Sequence, residues 1–167
     1  MKYKLRKFQK SDLEKLVLYA DNIKVSRFMT NRFPHPYTES DGLSFISMAM
    51  KAEPSNLFVI EVEGELGGAI GIHPMEDVHH FNAELGYWVA EKYWGHGIAT
   101  RAVSEMVEYG FNTFPVDRIF ARPYGNNLAS QKVLEKAGFE LEARIRGNLE
   151  KHGERLDELI YAIRKTS

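Results

Sequence analysis

Residues 93–101 read YWGHGIATR. Gly95 and Gly97 stand one residue apart, after the apolar stretch AELGYWVA and before a run with helical spacing. A strand, a glycine loop and a helix start make an anion site physically reasonable. The first turn of a helix leaves backbone N–H groups unpaired, and that end of the helix dipole is positive. Glycines let a backbone approach a ligand and take unusual dihedrals. Here Gly95 and Gly97 open the loop, while Ile98, Ala99 and Thr100 start the helix. A Walker loop would need Gly-Lys-Ser/Thr, which is absent. The G-x-G-x-x-T pattern only approximates a dinucleotide fingerprint, and it follows the fourth strand instead of the first. On the loop alone, a ligand-free turn and a phosphate cradle are both open.

Other chemistry is limited by composition. The chain of 167 residues has no cysteine, which excludes disulfides, thiolate metal sites and a cysteine nucleophile. His79-His80 lacks a partner at metal-ligand spacing and reads as a polar turn, so no metal is expected. RIRGNLEKHGER interleaves bases with acids and reads as a solvated hairpin. A net charge of −1 offers no field for nucleic acid or anionic lipid, so no nucleic-acid or membrane partner is expected. Hydrophobic content of 44% with 27% charged residues is ordinary for a globular protein. The length suits one domain spanning 1–167. MKYKLRKFQKSD has no apolar signal core and no long apolar span follows, so the chain reads as cytoplasmic.

The elements that must hold the loop follow from periodicity. KYKLRKF alternates and predicts a strand. Ser11 with Glu14 reads as a capping box ahead of a helix whose apolar face is Leu13, Leu16, Val17 and Ala20. Pro34 and Pro36 keep the following segment out of regular helix. Thr38 and Asp41 cap a second helix with a broad apolar face of Leu43, Phe45, Ile46, Met48, Ala49 and Met50. LFVIEV and LGGAIGIHP form a hairpin about Glu63-Gly64, and a third strand runs from Asn82 to Ala90. Val103, Met106, Val107, Gly110, Phe111 and Phe114 give the glycine loop a long helix. RIFARP is a short strand. NLASQKVLEKAGF is a helix capped by Asn127 and ended by Gly138. Two long strands about His152-Gly153 close the chain. The order β-α-α-β-β-β-α-β-α-β-β predicts an α/β protein with a largely antiparallel sheet and at least one parallel crossover.

Two motifs in this order resemble the GNAT superfamily of acetyl-CoA-dependent N-acetyltransferases. That family's loop runs Gln/Arg-x-x-Gly-x-Gly/Ala, matched by Trp94-Gly95-His96-Gly97-Ile98-Ala99 with Trp94 in the Gln/Arg place. Its next helix carries Asn-x-x-Ser and ends in Gly-Phe, matched by Asn127, Ser130, Gly138 and Phe139. FPHPYT, ELGYWV and ASQKVLEKAGF are similar to the ribosomal-protein-alanine N-acetyltransferase group, over essentially the whole chain. The resemblance implies the GNAT fold: a mixed, mostly antiparallel central sheet of about seven strands with about four flanking helices.

It also implies a division of labour. Acetyl-CoA would be the acetyl donor. Gly95, His96, Gly97, Ile98, Ala99 and Thr100 would offer amides to its pyrophosphate, and backbone groups of Trp88 and Val89 would pair with the pantetheine arm. Asn127 would fix that arm, and Ser130 would sit near the sulfur. An ammonium must lose a proton before it attacks, and Glu84, in the strand ahead of the loop and sharing a face with Gly86 and Trp88, is the candidate base. An N–H near Val89 would stabilise the oxyanion. Ser130 would donate a hydrogen bond to the leaving sulfur, with Tyr124 as the alternative acid. Phe33, His35 and Tyr37 would wall the acceptor cleft, or simply pack. The expected reaction is direct acetyl transfer to a primary amine, a protein N-terminus or a small molecule. The alternative is a non-catalytic coenzyme A-binding module. A homodimer is common in the group.

Overall fold

A computed structural model describes residues 1–167. Seven strands form one sheet in the order β1-β2-β3-β4-β5-β7-β6, mixed and mostly antiparallel. The strands are β1 (Tyr3–Arg6), β2 (Leu57–Val62), β3 (Glu65–Pro74), β4 (Asn82–Val89), β5 (Arg118–Ala121), β6 (Glu140–Lys151) and β7 (Glu154–Arg164). The helices are α1 (Leu13–Ala20), α2 (Ile23–Ser26), α3 (Glu39–Lys51), α4 (Ile98–Thr113) and α5 (Leu128–Lys136). The expected order holds, with the one-turn α2 added inside the stretch read as irregular. No helix is long and apolar enough to cross a membrane. By contacts the chain divides into two compact units, Met1–Gly71 with Tyr87–Ala102, and Ile72–Gly86 with Val103–Ser167.

In the first unit, β2 and β3 form the predicted hairpin. Glu63 and Gly64 both take left-handed φ, 51° and 85°, the geometry that matches the twist of paired strands. Thr38 caps α3: its hydroxyl accepts from Asp41 N–H, and Asp41 accepts from Thr38 N–H. The cap of the first helix differs from the expected one. Ser11 lies inside a 3-10 turn, Lys10–Asp12, that precedes α1, and Gln9 opens that turn. The reciprocal acid is Asp12, which accepts from Gln9 N–H at 2.8 Å and from two Arg6 nitrogens at 3.0 and 2.7 Å. Asp12 outcompetes Glu14 because Arg6 is there to pair with it when buried. The buried stripe of α3 is also narrower than expected. Ile46 and Ala49 are in the core, whereas Leu43, Met48 and Met50 are exposed, since a 3.6-residue period turns only one face inward.

In the second unit, β4 and β5 run parallel, with Ala83 opposite Ile119 and Glu84 opposite Phe120. β7 pairs antiparallel with both β5 and β6. The β6–β7 turn uses left-handed His152 and Gly153, φ 53° and 78°, as the β2–β3 turn does. Val103, Met106 and Val107 of α4 are buried, and Phe114 falls just past its end.

Gly68 on β3 is a point of close approach. A Cβ there would lie 2.3 Å from the Trp88 carbonyl oxygen and 3.0 Å from Val89 Cα. A backbone cannot yield as a flexible side chain does. Gly68→Ala should therefore destabilise the protein by about 1–3 kcal/mol, the usual cost of overpacking. Gly86→Ala, whose Cβ would meet nothing within 4 Å, should stay within roughly 0.5 kcal/mol of wild type. Urea unfolding of the two variants checks the contrast.

Candidate active site

The glycine loop begins where β4 ends. A 3-10 turn, Glu91–Tyr93, leads to Trp94, and then Gly95 and Gly97 take φ of +79° and +73°. A Cβ at either would meet no atom within 4 Å, so glycine is required by backbone angle and the space in front is open. α4 starts at Ile98, and Arg101 N–H already bonds the Gly97 carbonyl. The N–H groups of Ile98, Ala99 and Thr100 thus form the unpaired first turn. His96 is exposed and Ile98 is buried, so Ile98 anchors the helix end while the glycines face outward.

Trp94 does more than shape the backbone. Its indole N–H donates to the Val89 carbonyl at 2.7 Å, tying the loop back to the end of β4, while its ring stays 46% exposed. One lone pair of the carbonyl expected to pair with pantetheine is therefore already used. Trp88 is buried, with its ring edge-on to Phe33 at 5.7 Å. Phe33 also meets Tyr37, at 5.3 Å. Of the three expected cleft residues, Tyr37 is only 6% exposed. Its N–H bonds Asp21, and burial pushes its phenol up to about 12. Phe33 is half-buried and His35 is exposed, with Nδ1 3.5 Å from Asp21 Oδ1. Phe33 and His35 keep surface to offer; Tyr37 packs behind Phe33.

In the second unit, Glu84 is half-buried, between buried Ala83 and Leu85 and with exposed Gly86 on its own face. Arg122, just past β5, grips its carboxylate with two nitrogens: Nε to Oε2 at 2.6 Å and Nη2 to Oε1 at 3.1 Å. The same pairing raises the Arg122 pKa, chiefly through the Glu84 hydrogen bond. Arg122 was not among the expected site residues. Its sequence signal was alternation: Glu84 pairs with Phe120, and Arg122 two positions on projects to the same face.

Asn127 caps α5 as expected. Its Oδ1 accepts from Ser130 N–H at 3.2 Å, and its own N–H bonds the Tyr124 carbonyl at 2.9 Å. Gln131 bonds the Gly125 carbonyl at 3.2 Å and so fixes the same turn. Gly138 takes φ +94° and ends the helix. Ser130 is half-buried in the first turn. Tyr124 is buried, and burial, followed by the nearby Glu158 charge, raises its pKa, so the phenol stays protonated. No group of three or more His, Asp or Glu residues is arranged to hold a metal ion.

The mixed seven-stranded sheet with its flanking helices, and a glycine loop at the start of α4, make this an α/β protein. Residues 2–140 match the family described as acetyltransferase (GNAT) domain, and the chain belongs to that family of acetyltransferases. It is 36% identical over 101 residues to Bacillus subtilis YoaA, described as an uncharacterized N-acetyltransferase; the match covers 60% of this chain and only about half, 56%, of YoaA. It is 28% identical to the Bacillus licheniformis N-acetyltransferase p20, over 96% of this chain and 92% of p20. It is 27% identical to Escherichia coli spermidine N(1)-acetyltransferase, over 85% and 75%. Among solved structures, a Bacillus anthracis GNAT acetyltransferase superposes with a TM-score of 0.83 at 26% identity, over 98% of this chain and 95% of that one. Mycobacterium smegmatis RimJ in complex with CoA-disulfide gives 0.83 at 28%, over 97% and 81%. A ribosomal-protein-alanine N-acetyltransferase from Brucella melitensis shares the fold, with a TM-score of 0.82 at 20% identity over 97% and 99%.

Gly95→Ala and Gly97→Ala should each cost about 1–2 kcal/mol by forcing a Cβ into the left-handed region, although neither Cβ meets an atom. Asn127→Ala should cost about 1 kcal/mol through the lost cap, and Asn127→Ser should recover most of it. Thermal unfolding without ligand measures both.

Proposed function

We propose that residues 1–167 form one N-acetyltransferase domain that uses acetyl-CoA and transfers its acetyl group directly to a primary amine. The observation that carries this reading is the loop: two left-handed glycines open onto empty space beside three unpaired helix N–H groups. That arrangement suits the pyrophosphate of coenzyme A, with amides from Gly95 to Thr100. Trp88 and Val89 backbone groups would meet the pantetheine arm, and the Asn127 side-chain N–H groups, unused by the cap, would donate to it.

Glu84 accepts the proton that the ammonium must lose. Arg122 keeps that carboxylate in one rotamer, and each carboxylate oxygen retains a lone pair for the amine or a water. The neutral nitrogen then attacks the thioester carbon, and the Val89 N–H meets the developing oxyanion. The carbon–sulfur bond breaks, the second proton of the attacking nitrogen passes through water to the thiolate, and Ser130 donates a hydrogen bond to the sulfur. Tyr124, protonated in its buried site, is the alternative donor. The amine attacks acetyl-CoA itself, a route that needs no acyl-carrying cysteine and agrees with a chain that has none.

Phe33 and His35 offer an aromatic edge for the acceptor. Support for the acceptor class comes from two directions: a spermidine acetyltransferase among the relatives, and a ribosomal-protein-alanine enzyme that shares the fold. Both acceptors are primary amines. A cytoplasmic enzyme with no nucleic-acid or membrane partner, free to pair as a homodimer, fits this reading.

Thiol release from acetyl-CoA in the presence of polyamines, amino acids and peptides with free N-termini tests it. At least one amine should release thiol. Glu84→Gln should then lower kcat about 100-fold or more, in line with the loss of a general base. Arg122→Gln should lower it less, by about tenfold, because the base remains but is no longer held. A full rate in Glu84→Gln would remove Glu84 from the mechanism. Binding of acetyl-CoA without thiol release from any amine would leave a coenzyme A-binding module.

A further inference from the structure

Glu65, the first residue of β3, collects four side-chain donors on one carboxylate. Oε1 accepts from the Tyr19 hydroxyl at 2.6 Å, the Tyr93 hydroxyl at 2.6 Å and Lys92 Nζ at 3.1 Å. Oε2 pairs with Lys15 Nζ at 3.0 Å. The Lys92 ammonium also lies over both phenol rings, 5.4 Å from the Tyr19 centroid and 4.9 Å from that of Tyr93. The two rings meet edge to face at 6.4 Å. These contacts, led by the two phenols, hold the Glu65 carboxyl far below the usual carboxylate range, so it is ionised at every ordinary pH.

The donors come from two places. Lys15 and Tyr19 belong to α1, whereas Lys92 and Tyr93 belong to the 3-10 turn that delivers the chain into Trp94-Gly95-His96-Gly97. The outer side of that turn is tied as well. Glu91 accepts from Lys24 Nζ at 2.6 Å and from Asn22 Nδ2 at 2.8 Å. Past the turn, the glycines bring little restraint of their own, because glycine populates both signs of φ and has no side chain to pack, the space where a Cβ would stand being open at both positions. The direction in which the loop leaves is therefore set upstream, by a turn clamped at Glu65 and by the Trp94–Val89 hydrogen bond.

We propose that Glu65 is the positioning residue of the phosphate loop: it touches neither cofactor nor acceptor, and through Tyr93 and Lys92 it aims the N–H groups of Ile98, Ala99 and Thr100. The inference rests on the loop being the coenzyme A site. A carboxamide at position 65 keeps the shape but loses the charge. It leaves the Lys15 and Lys92 ammoniums uncompensated and gives the phenols a weaker acceptor. The turn then samples several poses, and a pyrophosphate must order it on binding, which appears as lost affinity. The chemical step, once acetyl-CoA is bound, is untouched.

The test compares wild type, Glu65→Gln and Tyr93→Phe by calorimetric titration with coenzyme A and by steady-state kinetics. For Glu65→Gln, the coenzyme A Kd and the acetyl-CoA KM should both rise about tenfold, the scale of losing an outer partner to a binding group. The kcat at saturating acetyl-CoA and the KM for the amine should stay within about twofold. Tyr93→Phe removes one phenol bond, and about a threefold rise in Kd is expected; it carries the same test if Glu65→Gln fails to fold. An unchanged Kd with only a lower melting temperature would make the cluster purely structural and overturn the inference. So would a kcat that falls at saturation. If the wild type itself binds no coenzyme A, the loop reading falls first and this inference falls with it; if the wild type binds and both variants bind equally well, this inference alone is wrong.

Discussion

β4 and β5 run parallel, and a parallel pair cannot be closed by a two-residue turn. The chain has to leave β4 at one end and return to start β5 at the other, and α4 makes that journey. A helix must therefore begin just past the end of β4, where its unpaired N–H groups gather. The same pairing sets Glu84 opposite Phe120 and brings Arg122 onto the Glu84 face. One constraint of strand direction thus creates the helix start that a phosphate can use and the ion pair that holds the candidate base.

The loop itself is tuned by opposing demands. Left-handed glycines give it a backbone that can come close to a ligand, at the cost of conformational freedom. Around it the chain supplies restraint: the Trp94 indole on the Val89 carbonyl, the buried Ile98 and the four-donor cluster at Glu65. Most of these restraints are hydrogen bonds to one charged group, the Glu65 carboxylate, and such charge-assisted bonds are stronger than neutral ones. On the positioning role proposed for Glu65, these restraints would leave less ordering entropy for binding to overcome.

Local features were legible in the sequence. The Thr38–Asp41 box, the Asn127 cap, the Gly138 stop and the hairpin turns at Glu63-Gly64 and His152-Gly153 depend on a few neighbouring residues, and each stands where spacing put it. The GNAT motifs were equally local. What the sequence hid was set at long range. Ser11 looked like an N-cap until Asp12 was drawn to Arg6. The exposed side of α3 carries Leu43, Met48 and Met50, which periodicity alone counted as apolar face. Arg122 and Glu65 lie 38 and 28 positions from Glu84 and Tyr93, and no spacing rule joins residues across such distances. Trp94 read as a departure from the family loop, yet its side chain does fixing work by bonding Val89.

The reading depends above all on the loop being a coenzyme A site, and calorimetric titration of the wild-type protein with acetyl-CoA, beside a nicotinamide dinucleotide as control, addresses it without reference to any acceptor. Saturable binding of acetyl-CoA at one site per chain, with no heat from the dinucleotide, is the expected result. No binding of acetyl-CoA, or equal binding of the dinucleotide, would contradict it.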